Sequence, residues 1–393
     1  MKEYKITSGD LIFTPGKLVT GQKSAVDPIS REHLQQALEL AADRLPFLRT
    51  EFVEHDGCLW LRENGKPFIV SESTTPPPYG DEQVNGHPVA FSCKGNTIYF
   101  WYDHVMCDGH GFAMIMMLVQ YHYCRLHYGV TPAYDSPIRP DAPFTGREIA
   151  DPYANLSDTQ PVLPLPETAF LPPEADLAEP GSGHTNRLRI PKDAYLQTVK
   201  QLSSTPAALA AVLLCRVLNE MYPDTDAPIT PTIAMDARSI LGCTDTVQNT
   251  LISLFFPYTD DIRSLPVEKQ PAVFCDMLNR QREPAAIRAV MAAQRQRYLM
   301  KVQSRLGSAE PPAPRENLSA FLVTYVGGVS HGEIDNYFHG LIMNNSPAMP
   351  AMLGITQEGD VFNFDILSMF KNNAVYTGLL QQLRELNIPY LTD

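Results

Sequence analysis

A histidine flanked by acidic residues stands where this chain could carry out proton transfer. The segment Thr97–Asp103 is rich in β-branched and aromatic residues, which predicts a strand, and His104 follows it directly. A side chain at the end of a strand is held by the sheet yet lies at its edge, within reach of a substrate. Because the ordinary pKa of histidine is about 6.5, its ring is mostly neutral near pH 7 and can accept a proton. We therefore interpret His104 as a candidate general base.

The residues after His104 predict a short loop that leads into a helix, and they read Val105-Met106-Cys107-Asp108-Gly109. Asp108 suits the N-terminus of that helix, where a carboxylate is stabilised. Gly109 is expected to let the backbone turn without a Cβ clash. Both residues therefore suit the start of a helix shortly after His104.

Three other interpretations of this segment are open at this point. His104 could be a structural histidine at a strand end. His104, Asp108 and His110 could be ligands of a metal ion. Cys107 could suggest a thiol nucleophile, although side chains so close in sequence rarely project together.

The elements that must position His104 include a helix and strands in the first half of the chain. Ser30 suits a helix N-cap, and apolar residues with helical spacing follow it at Leu34, Ala37, Leu38, Ala41 and Leu45. The segment Leu45-Pro46-Phe47-Leu48-Arg49 ends this helix, and a strand is expected from Thr50. The first half is therefore predicted to be α/β.

The second half of the chain predicts the same mixture. Helices are expected at about 192–202, 206–221, 266–282, 284–305 and 373–386. Strands are expected at about 186–190, 229–235, 250–257, 319–326, 353–357 and 361–367. The chain is long enough for two such units, each with a full core.

A proline-rich stretch separates the two halves, with 11 prolines in the 49 residues from Pro132 to Pro180. Proline removes a backbone donor and fixes φ, so this stretch is neither a regular helix nor a central strand. We predict an N-terminal half over residues 1–131, a crossover over 132–185 and a C-terminal half over 186–393. Disorder is the alternative for the crossover, but it carries apolar anchors at Phe144, Tyr153, Leu163, Leu165, Phe170 and Leu171.

The HxxxDG pattern after an aromatic strand resembles the signature of the chloramphenicol acetyltransferase-like superfamily. That superfamily includes condensation domains of nonribosomal peptide synthesis, alcohol acetyltransferases and plant acyltransferases. Three further segments resemble the family in the same order along the chain: Leu45–Arg49, Ile233–Arg238 with Gly242 and Asn249, and Phe321–Gly327. The resemblance extends from about residue 10 to 385. It implies an α/β (α+β) fold of two acetyltransferase-like halves with mixed sheets and flanking helices.

The resemblance implies that His104 lies in a channel between the halves. There it would deprotonate a hydroxyl or amine acceptor, which attacks a thioester of coenzyme A or of a carrier protein's phosphopantetheine arm. Transfer would be direct, with no acyl-enzyme, no metal and no permanently bound cofactor. Asp108 would pair with Arg238, and these two residues together with Gly109 would support the structure of the site. Asn249 and Tyr325 become candidate substrate-binding residues.

Two departures from the family pattern bear on which subgroup of the superfamily the chain resembles. Condensation domains usually carry two histidines before xxxDG, whereas Asp103 occupies the first position here. The DFGWG motif of the plant enzymes is absent, and Gly359-Asp360-Val361-Phe362 does not replace it. The first difference disfavours the peptide-condensing group without removing the base, and the second argues against the plant subgroup.

The composition excludes several other classes of protein. Net charge is −13 over 393 residues, which disfavours nucleic-acid binding. Hydrophobic residues make up 44% and charged residues 19%, as in ordinary globular proteins. No signal-peptide-like or membrane-spanning apolar run is seen, so we expect a cytoplasmic protein. The seven scattered cysteines form no CxxC pair and are expected to be reduced.

One basic stretch stands against this acidic background. Seven basic residues and a single acid, Glu283, lie between Arg280 and Arg305. A solvated helix face explains such a pattern. The functional alternative is a binding site for an anionic donor, either coenzyme A phosphates or an acidic carrier protein, with Arg295 and Arg297 as its candidate residues.

We interpret the chain as an acyltransferase, of the alcohol acetyltransferase or condensation-domain type found in secondary metabolism. It would join an acyl thioester to a small hydroxyl or amine acceptor. The alternative is a catalytically silent module of the same fold that binds a thioester, a carrier domain or a small ligand.

Overall fold

The computed structural model describes residues 2–156, 169–179, 182–308, 310, 319–328, 332–345 and 349–392. Its α-helices are α1 (Ser8–Ile12), α2 (Arg31–Arg44), α3 (Gly109–His127), α4 (Lys192–Gln201), α5 (Pro206–Met221), α6 (Arg238–Leu241), α7 (Asp260–Arg263), α8 (Gln270–Gln281), α9 (Pro284–Arg305) and α10 (Ala374–Glu385). Its strands are β1 (Glu3–Ile6), β2 (Leu18–Ala25), β3 (Thr50–His55), β4 (Cys58–Glu63), β5 (Ser71–Glu72), β6 (Val89–Lys94), β7 (Thr97–Asp103), β8 (His184–Pro191), β9 (Pro231–Asp236), β10 (Leu251–Phe255), β11 (Phe321–Gly328), β12 (Phe338–Asn345), β13 (Ala351–Glu358), β14 (Val361–Ser368) and β15 (Leu391–Thr392).

The N-terminal half is built on a five-stranded sheet in the order β12-β2-β7-β6-β5. Helix α2 begins where predicted, because the Ser30 side chain accepts a hydrogen bond from the His33 N–H at 3.3 Å. Helix α3 packs against α2 and lies on the sheet. Its Phe112 ring stacks on Tyr102 at 4.1 Å and contacts Phe100 at 4.8 Å. Since Tyr102 is on β7, this contact joins the helix after the HxxxDG loop to the strand before it.

The C-terminal half is built on a seven-stranded sheet in the order β10-β9-β11-β13-β14-β8-β15. Strands β9, β11 and β13 run parallel, and the other pairs are antiparallel. Helix α5 is capped by the Thr205 side chain, which accepts from the Ala208 N–H, and begins with Pro206. It packs on β9 and β11 and against α4, α8 and α10. The second core therefore lies behind this sheet and leaves the other face toward the N-terminal half.

One strand of the second half completes the sheet of the first. β12 pairs antiparallel with β2, from Phe338 opposite Ala25 to Asn345 opposite Val19. No strand is predicted at these residues from the sequence. The predicted boundaries at residues 131 and 186 stay a prediction, but the second half of the chain contributes strands to the five-stranded sheet as well as the seven-stranded one; a third sheet, β1-β4-β3, contains strands of the first half alone.

The described part of the crossover is held against both halves. Tyr153 and Ile149 are buried, and Glu148 forms a buried ion pair with Arg44 at 2.7 Å. The predicted anchors Leu163 and Leu165 lie outside the described residues.

Most predicted elements agree with the structure to within a few residues. The helix expected at 266–282 begins later, at Gln270, because residues 264–269 form turns instead. All seven cysteines are unpaired, and five of them are buried. Across the described residues no single helix has the length and apolarity to cross a membrane; only the bent pair α4 and α5 meets those two criteria together.

Candidate active site

His104 directly follows β7, and only 6% of its surface is exposed. Its Nδ1 is 3.0 Å from the carbonyl oxygen of Cys107. Because a carbonyl oxygen can only accept a hydrogen bond, Nδ1 carries the proton and donates it. The other ring nitrogen, Nε2, then keeps its lone pair. The loop geometry thus selects the tautomer that a general base requires.

The surroundings of His104 favour its neutral form. Burial lowers the pKa of His104 below its ordinary value, opposed by the Cys107 carbonyl and by the negative charge of Asp108. The site therefore favours the neutral imidazole of His104 near pH 7, which is the form that can accept a proton.

Asp108 is the N-cap of α3 and is fully buried, with its side chain accepting from the Gly111 N–H at 2.8 Å. The Arg238 guanidinium binds both carboxylate oxygens, at 2.8 and 2.9 Å. Burial alone would raise the pKa of Asp108, but Arg238 and the backbone donors outweigh it and keep the pKa below its ordinary value. The structure therefore brings together the predicted pair Asp108 and Arg238, and Asp108 is an ionised brace rather than a proton donor.

Arg238 begins α6 and makes several further hydrogen bonds. It donates to Asp236 at 3.0 Å, to the Thr250 hydroxyl at 2.8 Å and to the carbonyl oxygens of Thr246 and Gln248, both at 2.8 Å. These partners satisfy the planar fork of donors on the guanidinium. Arg238 thus joins the β9–β10 connection to the HxxxDG loop.

Glycine is needed at a different position from the one expected. A Cβ at Gly109 would have no neighbour nearer than 3.8 Å, and its φ lies outside the left-handed region. The prediction that Gly109 avoids a Cβ clash is therefore wrong. At Gly111 a Cβ would lie 2.2 Å from the carbonyl oxygen of Val247. Gly111 is the glycine that lets α3 approach the β9–β10 connection, which carries Arg238 and Val247.

Asn249 lies beside the HxxxDG loop and is fully buried. Its Nδ2 donates to the carbonyl oxygen of His104 at 2.6 Å. Its backbone carbonyl accepts from the Ser8 hydroxyl on α1. Asn249 therefore fixes the backbone on which His104 stands, and it also lines the cavity in front of that residue.

A cavity of about 560 Å³ opens in front of His104, between the two sheets. That volume is typical of small-molecule sites. From the N-terminal half its wall includes Leu11, Phe13, Lys17, Tyr102 and His104. From the C-terminal half it includes apolar side chains at Leu251, Leu322, Met343, Met349, Met352 and Leu367. The cavity is therefore largely apolar and is shared by both halves of the chain.

The floor of the cavity is one in-register row across the seven-stranded sheet. The row consists of neighbours on successive strands, Ser253, Ala234, Thr324, Gly354 and Asp365. Four of these five side chains are small, so the sheet surface leaves room above it. At the end of the row Asp365 is held by Arg187 on β8, with N–O distances of 2.6 and 2.7 Å.

The remaining predicted binding residues do not line the cavity. Tyr325 follows Thr324 on β11 and faces the second core, 6.3 Å from the Phe362 ring. Arg295 donates to the carbonyl oxygen of Leu156 at 3.3 Å. That Arg295 and Arg297 bind the acyl donor stays a prediction, and their position outside the cavity wall does not support it.

Part of the basic stretch has a structural role instead. Asp10 on α1 is fully buried and receives two hydrogen bonds from Arg305, at 2.7 and 2.8 Å, and one from Lys301 at 3.2 Å. These contacts attach α1 to α9. Lys301 also lines the cavity, which Arg295 and Arg297 do not.

The alternative chemistries of the motif find no support in this geometry. Cys107 is fully buried, and burial raises the pKa of its thiol well above the ordinary value, so a thiolate is disfavoured. No cluster of three or more metal-ligating side chains occurs among the residues that the structure describes.

Several residues of the site are not predicted from the sequence. Thr250 donates its backbone N–H to Asp108 at 3.0 Å, and Phe13 stacks on His104 with ring centroids 4.1 Å apart. The polar run Thr246-Val247-Gln248-Asn249-Thr250 before a strand is the one indication that was present. All five of its residues are buried. Phe13 ends a short apolar run, Leu11-Ile12-Phe13, in which no pattern singles it out.

Comparison with known proteins places this geometry in a defined fold. No family model and no curated protein sequence matches the chain. TRI101 of F. sporotrichioides, solved with coenzyme A and T-2, superposes with a TM-score of 0.63 at 13% identity, covering 99% of this chain and 100% of that one. Polyketide synthase associated protein 5 of Mycobacterium tuberculosis gives a TM-score of 0.63 at 13% identity, covering 97% of each chain.

A variant of the starter condensation domain of rhizomide synthetase RzmA, solved with C8-CoA, is also similar. It gives a TM-score of 0.59 at 15% identity over 98% of this chain and 90% of that one. The chain therefore has the two-lobed fold of condensation domains and related acyltransferases, in line with the fold implied by its HxxxDG pattern.

Proposed function

We propose that this protein is an acyltransferase that moves an acyl group from a thioester to a hydroxyl or amine acceptor. The observation that carries the proposal is the hydrogen bond from His104 Nδ1 to the Cys107 carbonyl, which leaves Nε2 as a proton acceptor beside the cavity. The donor is a thioester of coenzyme A or of a carrier protein's phosphopantetheine arm.

The chemical step needs one base and no covalent enzyme intermediate. His104 Nε2 takes the proton of the acceptor O–H or N–H while that oxygen or nitrogen attacks the thioester carbonyl carbon. The tetrahedral intermediate then expels the thiolate as the C–S bond breaks. The thiolate recovers the proton from His104, and the products are an ester or amide and a free thiol. Asp108 and Arg238 hold the loop during this cycle without exchanging protons.

The cavity and the fold support this assignment. The apolar wall suits an acyl chain or an apolar acceptor, and both halves of the chain contribute to it. Two proteins of the same fold were solved with coenzyme A or an acyl-CoA.

The test is a thiol-release assay with a panel of acyl-CoA and acyl-carrier-protein donors, each with and without alcohol and amine acceptors. We expect release that depends on the acceptor. His104→Ala should lose about 10²–10⁴ in rate while remaining folded by circular dichroism. The matched control is His110→Ala, because the His110 side chain is half-exposed, lies in the first turn of α3 and does not line the cavity; this variant should keep its activity.

Other results would contradict the proposal. Donor binding without thiol release would indicate the catalytically silent module. Release that does not depend on an acceptor would indicate a hydrolase. Full activity of His104→Ala would show that another group is the base.

A further inference from the structure

The connection between α1 and β2, residues 13–17, is attached to the His104 segment at three points. The Phe13 ring stacks on the imidazole, with centroids 4.1 Å apart and planes 20° apart. The His104 N–H donates to the Lys17 carbonyl oxygen at 2.8 Å. The Gly16 N–H donates to Asp103 at 2.6 Å. The connection therefore contacts both the backbone and the ring of the proposed base.

Asp103 joins the two segments through its carboxylate. One oxygen accepts from Gly16, and the other accepts from the Val105 N–H at 2.9 Å. Asp103 is fully buried, although Gly16 lies in an exposed turn. A buried carboxylate that receives donors from both sides fixes their separation.

The single hydrogen bond at Nδ1 leaves the imidazole one rotational freedom. The torsion about Cβ–Cγ in histidine is broad, so the ring plane can rock about that bond. A flat aromatic face at 4.1 Å restricts this motion, because rotation would bring the rings into contact. The stacked ring therefore limits the directions in which Nε2 can point. Proton transfer is sensitive to such misalignment.

We propose that Phe13 is a positioning residue that fixes the plane of the His104 ring, and that Asp103 keeps Phe13 in place by joining Gly16 to Val105. This inference rests on the proposed role of His104 as the base. Asp103 is thereby given a specific task at the position where condensation domains usually carry another histidine.

The first test compares Phe13→Ala with Phe13→Tyr. Phe13→Ala should lower kcat roughly 10- to 100-fold and leave the KM for the thioester within about twofold. Phe13→Tyr keeps the flat ring and should restore kcat. The control for loss of a ring is Phe170→Ala. Phe170 lies in the crossover and contacts Tyr222 of the second half, with ring centroids 4.9 Å apart, so its loss should leave kcat unchanged.

A second readout does not require turnover. Burial is the main cause of the lowered pKa of His104, and the neighbouring charges are Asp108 and Lys17, with Asp103 preceding it in the chain. Removing the Phe13 ring admits water to the imidazole, so an NMR titration should show the pKa of His104 rising toward 6.5 in Phe13→Ala. The Nδ1–H tautomer should also become less dominant.

A double-mutant cycle tests the link to Asp103. In Asp103→Asn one of the two backbone N–H donors faces an amide N–H₂ instead of an oxygen. The kcat of this variant should therefore fall, as it does in Phe13→Ala. If both residues act through the same contact, the double variant should be little worse than Phe13→Ala alone.

The outcomes separate this inference from the proposed function. Wild-type kcat in Phe13→Ala, an unchanged His104 titration or fully additive losses would overturn the positioning role. A wild-type protein that transfers no acyl group would overturn the proposed function, and the titration of His104 would still decide whether Phe13 holds the ring.

Discussion

The Arg238 guanidinium and the Asp108 carboxylate form a two-point ion pair across the two halves of the molecule, although they lie 130 residues apart in sequence. Both side chains are buried, at 3% and 0% exposure. Removing one partner leaves the other as a buried charge without compensation. The pair therefore connects the stability of the fold to the geometry of the His104 loop.

Arg238→Met should lower the free energy of unfolding by about 3–5 kcal/mol, because Asp108 would remain charged and buried. Chemical denaturation measures this loss. The matched control is Arg147→Met, whose ion pair with Asp245 has an arginine side chain that is 71% exposed. It should cost less than about 1 kcal/mol. Equal losses in the two variants would show that the buried pair has no special weight.

Gly111→Ala should destabilise the protein by about 1–3 kcal/mol, because a Cβ there would meet the Val247 carbonyl oxygen at 2.2 Å. Gly109→Ala is the matched variant two residues earlier. It has room for a Cβ at 3.8 Å and should be neutral or slightly stabilising. Thermal and urea unfolding of both proteins checks the contrast. The opposite order would show that Gly109, not Gly111, is the constrained position.

The sequence predicts those helices and strands that depend on a local pattern of residue types. The helical spacing of Leu34, Ala37 and Leu38 and the aromatic strand before His104 are local, and the structure has both elements as expected. The pairing of Asp108 with Arg238 came from the family resemblance. The sheet position of β12 depends on contacts more than 300 residues away in the chain, such as Phe338 with Ala25, and no local pattern reports such pairing. Phe13 and the row that includes Gly354 also become site residues only through long-range pairing, of β2 with β7 for Phe13 and of β13 with β11 and β14 for Gly354.

The pH dependence of kcat/KM should have its acidic limb below pH 6.5. His104 must be neutral to act as a base, and burial lowers its pKa, so activity is retained at pH values where an exposed histidine would be protonated. Asp103 titrates in the same region, because burial raises its pKa to about 6. Comparing the profiles of the wild type and Asp103→Asn separates the two groups. A limb centred above pH 6.5 in both proteins would contradict the assignment.

Gly354→Leu should shift donor preference toward shorter acyl chains, provided that the cavity binds the acyl group. Gly354 lies in the floor row between Thr324 and Asp365, where a large side chain would fill part of the space. Gly354→Ala adds a Cβ with ordinary contacts at 3.8 Å and should change little. Competition assays with donors of increasing chain length measure the shift. An unchanged profile in Gly354→Leu would place the acyl chain elsewhere.

His122 on α3 should make the protein acid-sensitive. It is 6% exposed, and neither ring nitrogen has a hydrogen-bond partner among the described residues. Burial, together with the charge of Arg125, lowers its pKa to about 4. The unfolded chain binds a proton at His122 below about pH 6.5, whereas the folded protein does so only near pH 4. The resulting stability is fully present above pH 6.5 and declines as the pH falls to 4, by up to about 3 kcal/mol.

His122→Leu removes this proton-binding difference, so its free energy of unfolding should vary less between pH 6.5 and pH 4 than that of the wild type. Urea denaturation at several pH values measures the slope. His339→Leu, at an exposed position on β12, serves as the control and should keep the wild-type slope. If both variants kept that slope, another buried group would have to account for the acid sensitivity.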